Sequence, residues 1–488
     1  MRIVVCVKQT AAGELNPFDA CAYEAALQIP ESEVILLSMG PDKTEEMLLN
    51  LTRLGAREAY LLCDNAFAGA DTLATAYTLS LALKKLAPDL IICGRQTVDG
   101  DTAQTGPSLS AIAGLSLITN VMKIKDTIGH LVCETRDMRE QTASYPALIT
   151  VERMNHLRLP GIRSKKGVVV RWTVEELGAD ISRCGFKGSP TKVIKTFQNE
   201  DGKRKCKFID INQLANKINE GLEKEKQRIK PVLKSSASLK KAWIVGEAPR
   251  SFAESISDDI VVIRKEDFMK DDDSYRDFAE RFSAYVQEKQ PEVILWGSDT
   301  WSKAVAPQVA AILRTGLCAD CTALETDGER IFMYRPAFSG NIMAKIVCTT
   351  KPQMATVRTM ESRGADVVCA LGKGAKNVVC DIMAIAQRKN ENAEEKKTAR
   401  WDIAASRLAV DMEMLPYKSQ VGMTGKSVNP AVYLAIGISG AVHHIAGMKQ
   451  SGTVIAVNPD KEAPIFDYAD YGIVATAEEL VEYMKKEL

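Results

Sequence analysis

The stretch from Pro430 to Asn458 constrains this chain more than any other. It reads Pro-Ala-Val-Tyr-Leu-Ala-Ile-Gly-Ile-Ser-Gly-Ala-Val-His-His-Ile-Ala-Gly-Met, then a second apolar run closing on Val457-Asn458. Val432 to Ile436 suits a buried parallel strand. Gly437 and Gly440 let the backbone turn sharply and approach a ligand, with Ser439 between them. A helix entered at Ala441 would present free N–H groups and the positive end of its dipole, a seat for phosphate. His443 and His444 fall in its first turn and can donate to a polar ligand. Glycine at a strand-to-helix turn occurs in any α/β protein, so this motif takes its meaning from the rest of the chain.

At 488 residues the chain has room for about three domains. Lys plus Arg equals Asp plus Glu at 63 each, so no strong field favours nucleic acid or an anionic membrane. No apolar run reaches the ~18 residues of a membrane span, and Met1 to Lys8 is a strand pattern too short for a secretory leader. The twelve cysteines are scattered, mostly on apolar runs such as those of Cys6, Cys63, Cys93 and Cys348. A reduced, cytoplasmic protein is the expectation. The one CxxC, Cys318-Ala-Asp-Cys321, has no second pair and no nearby histidine, so it reads as structural.

Strand and helix patterns alternate over the first 190 residues. Ile3–Val7, Val34–Ser38, Ala59–Cys63 and Leu90–Cys93 read as strands; Cys21–Ile29, Thr44–Leu54 and Asp71–Leu86 read as helices. Such alternation predicts a parallel sheet covered on both faces. After Pro160 an extended arm is expected, and 198–238 reads as a polar linker with some helix. A second α/β start follows at Lys241-Ala-Trp-Ile-Val-Gly246. Asp89-Leu-Ile-Ile-Cys-Gly94 and Glu292-Val-Ile-Leu-Trp-Gly297 have the same form, so the halves look like distant versions of one domain, though the likeness is too weak in sequence for a repeat. The expected architecture is α/β: two related doubly wound, nucleotide-binding-like domains at 1–197 and 239–365, and a third α/β domain at 366–488.

The loop Gly94 to Pro107 leaves the carboxyl end of a strand, where open α/β sheets hold ligands. It is dense in hydrogen-bonding groups. A turn at Asp99-Gly-Asp101 can face its N–H groups to an anion, and Thr102 to Thr105 can cap the next helix. Two carboxylates invite a metal, but no further ligands stand at suitable spacing. Arg335 to Asn341 and Lys351 to Arg358 combine basic, aromatic and Gly-Pro elements suited to a cleft. The four histidines, 130, 156, 443 and 444, form no triad, so hydrolytic chemistry has no support and no catalytic residue is expected.

Together these segments resemble electron transfer flavoprotein, with a β-type half ahead of an α-type half. On the β side the likeness rests on Asn16-Pro-Phe-Asp19, Ser38-Met-Gly-Pro41, Ala68 to Ala74 and the 94–107 loop. On the α side it rests on Cys318 to Thr322, Arg335 to Asn341, Pro352 to Arg358 and the C-terminal stretch. The resemblance implies a C-terminal α/β FAD-binding domain. Its FAD would lie against Lys373, Ser406, Arg407, Gln420, Val421, Gly422, Met423, Thr424, Gly425, Ser439, Gly440, Ala441, Val442, His443, His444, Asn458 and Thr476. A cation such as Arg407 and a donor such as His444 would stabilise negative charge on the reduced ring. The sequence departs from the family pattern in Gly372-Lys-Gly374, where Arg is usual between the glycines, and in Met423, His443 and Thr476. Lysine keeps the charge but loses the bidentate fork.

The resemblance also implies a second nucleotide, FAD or AMP, on the β-type half. Its residues would be Cys6, Asn16, Pro17, Phe18, Asp19, Met39, Gly94, Arg95, Gln96, Asp99, Gly100, Asp101, Thr102, Ala103, Gln104 and Thr105. Leu159 matches the position of a partner-docking anchor. The implied function is an electron carrier between a flavin-containing dehydrogenase, of acyl-CoA dehydrogenase type, and a downstream acceptor. The first alternative is an NADH-oxidising, electron-bifurcating protein with two FADs. The second, from another class, is a flavin-free nucleotide-binding scaffold.

Overall fold

Short runs of Val, Ile and Leu become strands buried on both faces, as parallel sheets under helices require. The chain is seen in a computed structural model that describes all residues except 153–155, 199–202, 228–234, 236, 271–273, 338–341, 359–364, 392–398, 423–424, 427 and 450. Two compact units emerge, one of residues 1–197 with 232–358, the other of 198–231 with 359–488.

The first unit opens with β1 (Arg2–Cys6), α1 (Pro17–Leu27), β2 (Glu33–Met39), α2 (Thr44–Thr52), β3 (Glu58–Leu62), α3 (Thr72–Leu86), β4 (Leu90–Gly94) and α4 (Thr105–Ala113). Then come β5 (Ser116–Asp126), the hairpin β6 (Leu131–Thr135) and β7 (Glu140–Ala143), β8 (Ala147–Val151), β9 (Val168–Trp172), α5 (Val174–Leu177) and β10 (Thr191–Gln198). The sheet order is β7-β6-β5-β8-β4-β1-β2-β3-β9, parallel from β5 to β9. Helix α1 starts at Pro17, four residues before the expected Cys21, because a proline is preorganised for a first turn. Asp71 lies just outside α3 and caps it, its carboxylate accepting from the N–H groups of Leu73 and Ala74 at 3.0 Å.

The segment expected as a polar linker with some helix carries β11 (Lys207–Phe208) and α6 (Leu214–Gln227), and both belong to the second unit. β11 adds to a sheet edge there, and α6 buries Leu214 and Ile218, with Leu222 packed against the same core. The spacing of those three is one helical face. The polar composition of the segment describes its other face.

The first unit resumes with β12 (Ala242–Val245), α7 (Arg250–Ala253), β13 (Ile260–Ile263), α8 (Tyr275–Lys289), β14 (Val293–Trp296) and α9 (Thr300–Leu313). After these come β15 (Leu317–Cys321), β16 (Ala323–Thr326), β17 (Ile331–Ala337), β18 (Ile342–Cys348) and β19 (Gln353–Val357). The parallel order β13-β12-β14-β19-β15 repeats β2-β1-β4-β8-β5 strand for strand. The halves are thus two copies of one topology, packed through α4 and α9. The Ser108 hydroxyl donates to the Pro307 carbonyl at 3.3 Å in that contact. β10 lies beside β18 in a separate sheet, β10-β18-β17-β16.

The second unit continues with β20 (Val367–Leu371), α10 (Val379–Glu391), β21 (Trp401–Ala405), α11 (Arg407–Asp411), β22 (Val432–Ile436), α12 (Val442–Met448), β23 (Thr453–Val457), β24 (Tyr471–Ile473) and α13 (Ala477–Glu487). Its sheet, β11-β24-β23-β22-β20-β21, is parallel throughout. The chain goes from β20 outward to β21 and then returns to β22 on the other side. That reversal leaves a crevice at the carboxyl ends of β20 and β22. The same reversal occurs between β1 and β4 in the first unit.

Candidate functional site

In the second unit a parallel sheet puts every strand's carboxyl end on one edge. Lys373 follows β20, Ser406 and Arg407 follow β21, Ser439 to His444 follow β22, Asn458 follows β23 and Thr476 follows β24. Gln420 and Val421 join them, because the Val421 N–H donates to the Ala405 carbonyl at 2.9 Å. Met423 and Thr424 lie outside the described residues. Gly437 takes φ +62°, and Gly372 and Gly374 pack directly on its backbone: a Cβ on Gly437 would come within 2.7 Å of the Gly374 carbonyl carbon. Glycine therefore lets the loops after β20 and β22 meet at the crevice.

Several side chains here hold the edge together. Asn458 Nδ2 donates to the Ile438 carbonyl at 2.9 Å, fixing the glycine turn. Thr476 caps α13 in a reciprocal box with Glu479, and Ser406 Oγ caps α11 at Ala409. His444 turns inward: its Nε2 lies 2.8 Å from the Tyr433 hydroxyl, and burial pulls the imidazole down to about 4, so the ring is neutral. Sequence reading missed Tyr433, since a tyrosine inside an apolar strand looks like core. The groups left facing outward are Ser439, Ala441, Val442 and His443. Arg407, paired with Asp411 at 3.4 Å, keeps 40% of its side chain exposed. Leu408, Val442 and Val474 are about half exposed on the same edge. Cationic, polar and uncovered apolar groups at a crevice fit a ligand with a phosphate part and a flat apolar part, as in FAD.

The first unit holds a cavity of about 1070 Å3 over the carboxyl ends of β1 and β4. Cys6, Asp19, Met39, Gly94, Arg95, Gln96, Asp99, Gly100 and Thr102 to Thr105 line it. Asn16 is buried beside it and pins the 94–104 loop: its Nδ2 donates to the Gln96 carbonyl at 2.9 Å and its Oδ1 accepts from the Val98 N–H at 3.2 Å. Asp99 accepts from the Ala11 N–H at 3.0 Å, tying down the loop after β1. Burial pushes Asp19 up to about 7, although Asn16 and the N–H of Lys8 hydrogen-bond to it. Asp101 is pushed up to about 6, by burial first and then by Asp320. Phe18 is buried with the Arg95 guanidinium 5.4 Å from its ring centre, and Arg95 pairs inward with Glu152 at 3.2 Å.

Two expectations for this loop change. The N–H groups of Gly100 and Asp101 bond to Thr97, at 3.2 and 2.9 Å, so they close the turn rather than face an anion. Helix α4 starts after Gln104 with no side-chain cap, so Thr102 and Thr105 do not serve as one. Instead the turn is braced from the repeated half, where Arg335 Nη2 donates to the Gly100 carbonyl at 2.7 Å. Gln104 is buried, its Oε1 accepting from Thr72 at 3.0 Å while its Nε2 has no partner among the described residues. Its amide is thus a donor in the cavity wall, within reach of a ligand acceptor. Thr191 from the start of β10 and Leu317, Cys318 and Ile346 from the repeated half also line the wall.

Outside both sites, Arg158 is clamped to Glu24 by its backbone N–H at 3.0 Å and its Nη2 at 2.8 Å. Leu159, next in sequence, is 89% exposed. Among the described residues no group of three or more His, Cys, Asp or Glu converges on a metal-sized site. No helix among them is long and apolar enough to cross a membrane.

Sequence patterns of known families agree with this division. The electron transfer flavoprotein domain matches twice, at residues 3–177 and 245–379, and the electron transfer flavoprotein FAD-binding domain matches residues 363–449. The chain is 38% identical over 247 residues to the electron transfer flavoprotein subunit alpha of Thermoanaerobacterium thermosaccharolyticum, covering 43% of this chain and 75% of that one. Over 256 residues it is 38% identical to the subunit beta of Megasphaera elsdenii, covering 44% and 94%. Protein FixA of Azorhizobium caulinodans is 35% identical over 254 residues, covering 44% and 90%. With the shared domain present twice and an FAD-binding domain after it, the chain belongs to the electron transfer flavoprotein family, its β-type and α-type parts joined in one polypeptide.

Proposed function

We propose that this protein is a single-chain electron carrier that binds FAD at the carboxyl edge of its C-terminal sheet. It takes electrons from a flavin-containing dehydrogenase of acyl-CoA dehydrogenase type, as in fatty acid β-oxidation, and passes them to a downstream acceptor in the cytoplasm. The observation that carries this reading is the gathering of Lys373, Arg407, Gln420, Val421 and Ser439–His443 on one edge, beside the uncovered Leu408 and Val442. Bound FAD supplies the electron chemistry. The chain's part is to bind, orient and tune. Arg407 favours an electron-rich ring by its charge, and the buried, neutral His444 adds no second charge. Lys373 and the exposed Ser439, Ala441 and His443 suit the pyrophosphate. Leu159 is the proposed anchor for the dehydrogenase, held out by the Glu24–Arg158 clamp.

A second reading is favoured by the N-terminal cavity. At about 1070 Å3 it stands at the top of the usual range for small-molecule pockets, ~300–1,000 Å3, and suits a dinucleotide better than AMP. A second FAD there, reduced by NADH, would make the protein electron-bifurcating. One measurement separates the readings: nucleotide identity and flavin-to-protein ratio of the purified chain after denaturation. One FAD with AMP supports the simple carrier. Two FADs, with bleaching by NADH, support bifurcation. No flavin even after incubation with excess FAD leaves a nucleotide-binding scaffold.

A further inference from the structure

In a regular strand the Cys318-Ala-Asp-Cys321 spacing keeps its sulfurs apart, because residues i and i+3 point to opposite faces and lie ~10 Å from each other. β15 is not regular there. Asp320 takes a left-handed φ of 52°, and the register with β19 breaks between Cys318 and Cys321. Both side chains consequently enter one apolar cluster. Cys321 Sγ donates to the Cys318 carbonyl oxygen at 3.8 Å, which keeps its thiol against residue 318.

The two sulfurs differ in access and in chemistry. Cys318 lines the cavity wall; Cys321 lies behind it. The adjacent Cys321 thiol first, and then the Arg335 guanidinium, hold the Cys318 thiol below its usual range against the effect of burial. Burial pushes the Cys321 thiol up. A reachable sulfur favoured as thiolate, with a partner thiol behind it, is the arrangement of an attacking and a resolving cysteine.

We propose that Cys318 and Cys321 form a redox-responsive dithiol in the cavity wall, oxidised to an intrachain disulfide by hydrogen peroxide. The Cys318 thiolate attacks one peroxide oxygen, forming an S–O bond as the O–O bond breaks and hydroxide leaves. The Cys321 sulfur then attacks Cys318, forming the S–S bond as the S–O bond breaks. With the two thiol protons, the two hydroxides become two waters, so two thiols and one peroxide give one disulfide. This assignment is independent of which nucleotide the cavity holds. Its setting gives oxidation a route outward. Asp320, between the cysteines, pairs with Lys303 at 3.1 Å, and Arg335, beside Cys318, braces the Gly94–Gln104 loop.

The test is brief treatment of the reduced, full-length chain with dilute hydrogen peroxide in native buffer, followed by alkylation and peptide mass analysis. A Cys318–Cys321 bridged peptide is expected, reversed by dithiothreitol and formed before any oxidation at the buried Cys133 or Cys369. Cys321→Ser should leave Cys318 trapped as a sulfenic acid that a dimedone-type probe labels; Cys318→Ser should abolish both signals. Free, alkylatable Cys318 and Cys321 at a dose that oxidises the exposed Cys380 overturn the proposal. So does a bridge that forms only after denaturation. The wild-type result stands even if a variant fails to fold.

Discussion

Asp19 shows how one carboxyl can be in conflict with its surroundings. It lies at the start of α1 under the β4 loop, and a Cβ on Gly94 would collide with its carboxylate and come within 2.7 Å of the Phe18 Cβ. Burial raises its pKa from 3.8 to about 7. The folded chain therefore keeps a proton that the unfolded chain releases between about pH 4 and 7, so this residue's contribution to stability falls as pH rises through that window. Asp19→Asn keeps an acceptor for the Lys8 N–H and cannot ionise. Its stability relative to wild type should rise with pH by up to a few kcal/mol between those limits, as denaturant midpoints at a series of pH values would show. Parallel curves would mean that Asp19 is solvated. Gly94→Ala should cost about 1–3 kcal/mol by overpacking, measurable as a lower thermal midpoint at any of these pH values. The two halves of the repeat differ at the equivalent strand end in side-chain size. Cys93 pairs with Cys6 in the first half, whereas Trp296 pairs with Val245 in the second. The Trp296 indole is fully buried, edge-on to Phe282 with ring centres 5.5 Å apart, where the first half has the smaller Cys93 side chain.

Among elements, α1 serves two purposes along a short length. Its start walls the cavity through Asp19, and its middle holds the Leu159 loop through Glu24. Burial alone would raise Glu24, but the Arg158 bonds outweigh it and hold the carboxyl below its usual range. If Leu159 is the partner anchor, Glu24→Gln should loosen its presentation. The KM for a dehydrogenase should rise roughly tenfold, about one charge-assisted bond, while flavin content and kcat stay unchanged. A fall in flavin content instead would place the effect on the fold. Strands and most helices could be read from periodicity, since burial on both faces needs continuous apolar runs such as Ile3–Val5 or Val432–Ile436. The glycine turns after β20 and β22 could be read too. What could not be read is where polar groups are used up. Thr476, Asn458 and the N–H groups of Gly100 and Asp101 look like ligand donors in sequence, and each is engaged within the protein. The helix in 198–238 could be read but its packing could not, for a related reason: one buried stripe of Leu214, Ile218 and Leu222 is diluted by the charges around it.

At the scale of the whole molecule the chain alternates between its units, contributing 1–197 to the first, 198–231 to the second, 232–358 to the first and 359–488 to the second. The second unit is therefore built from the C-terminal FAD-binding part together with the segment that joins the β-type and α-type parts. The second unit's use of 203–227 is not superficial. Arg204 Nη2 donates to the Ser451 carbonyl at 2.6 Å and its Nη1 to the Gly452 carbonyl at 3.0 Å, and its guanidinium also pairs with Asp470. β11 pairs with β24, and α6 covers the core beside β22. Removing this segment would expose Leu214's and Ile218's contacts on an otherwise buried face, a loss of about 1.5–3 kcal/mol for each large side chain. It follows that cutting the chain near residue 231 should not yield two independent proteins. Fragments 1–231 and 232–488, produced together, should co-purify as one complex and keep the flavin content of the uncut chain. Fragment 232–488 alone should be poorly soluble or lose flavin, because its FAD-binding part lacks the β11–α6 cover. Size-exclusion chromatography of the co-expressed and the separate fragments tests this. A monodisperse, flavin-retaining 232–488 would show that the segment merely decorates the second unit. Co-purification with dependence on both parts would mean that joining the two in one chain removes the concentration dependence of their assembly and adds no new contact.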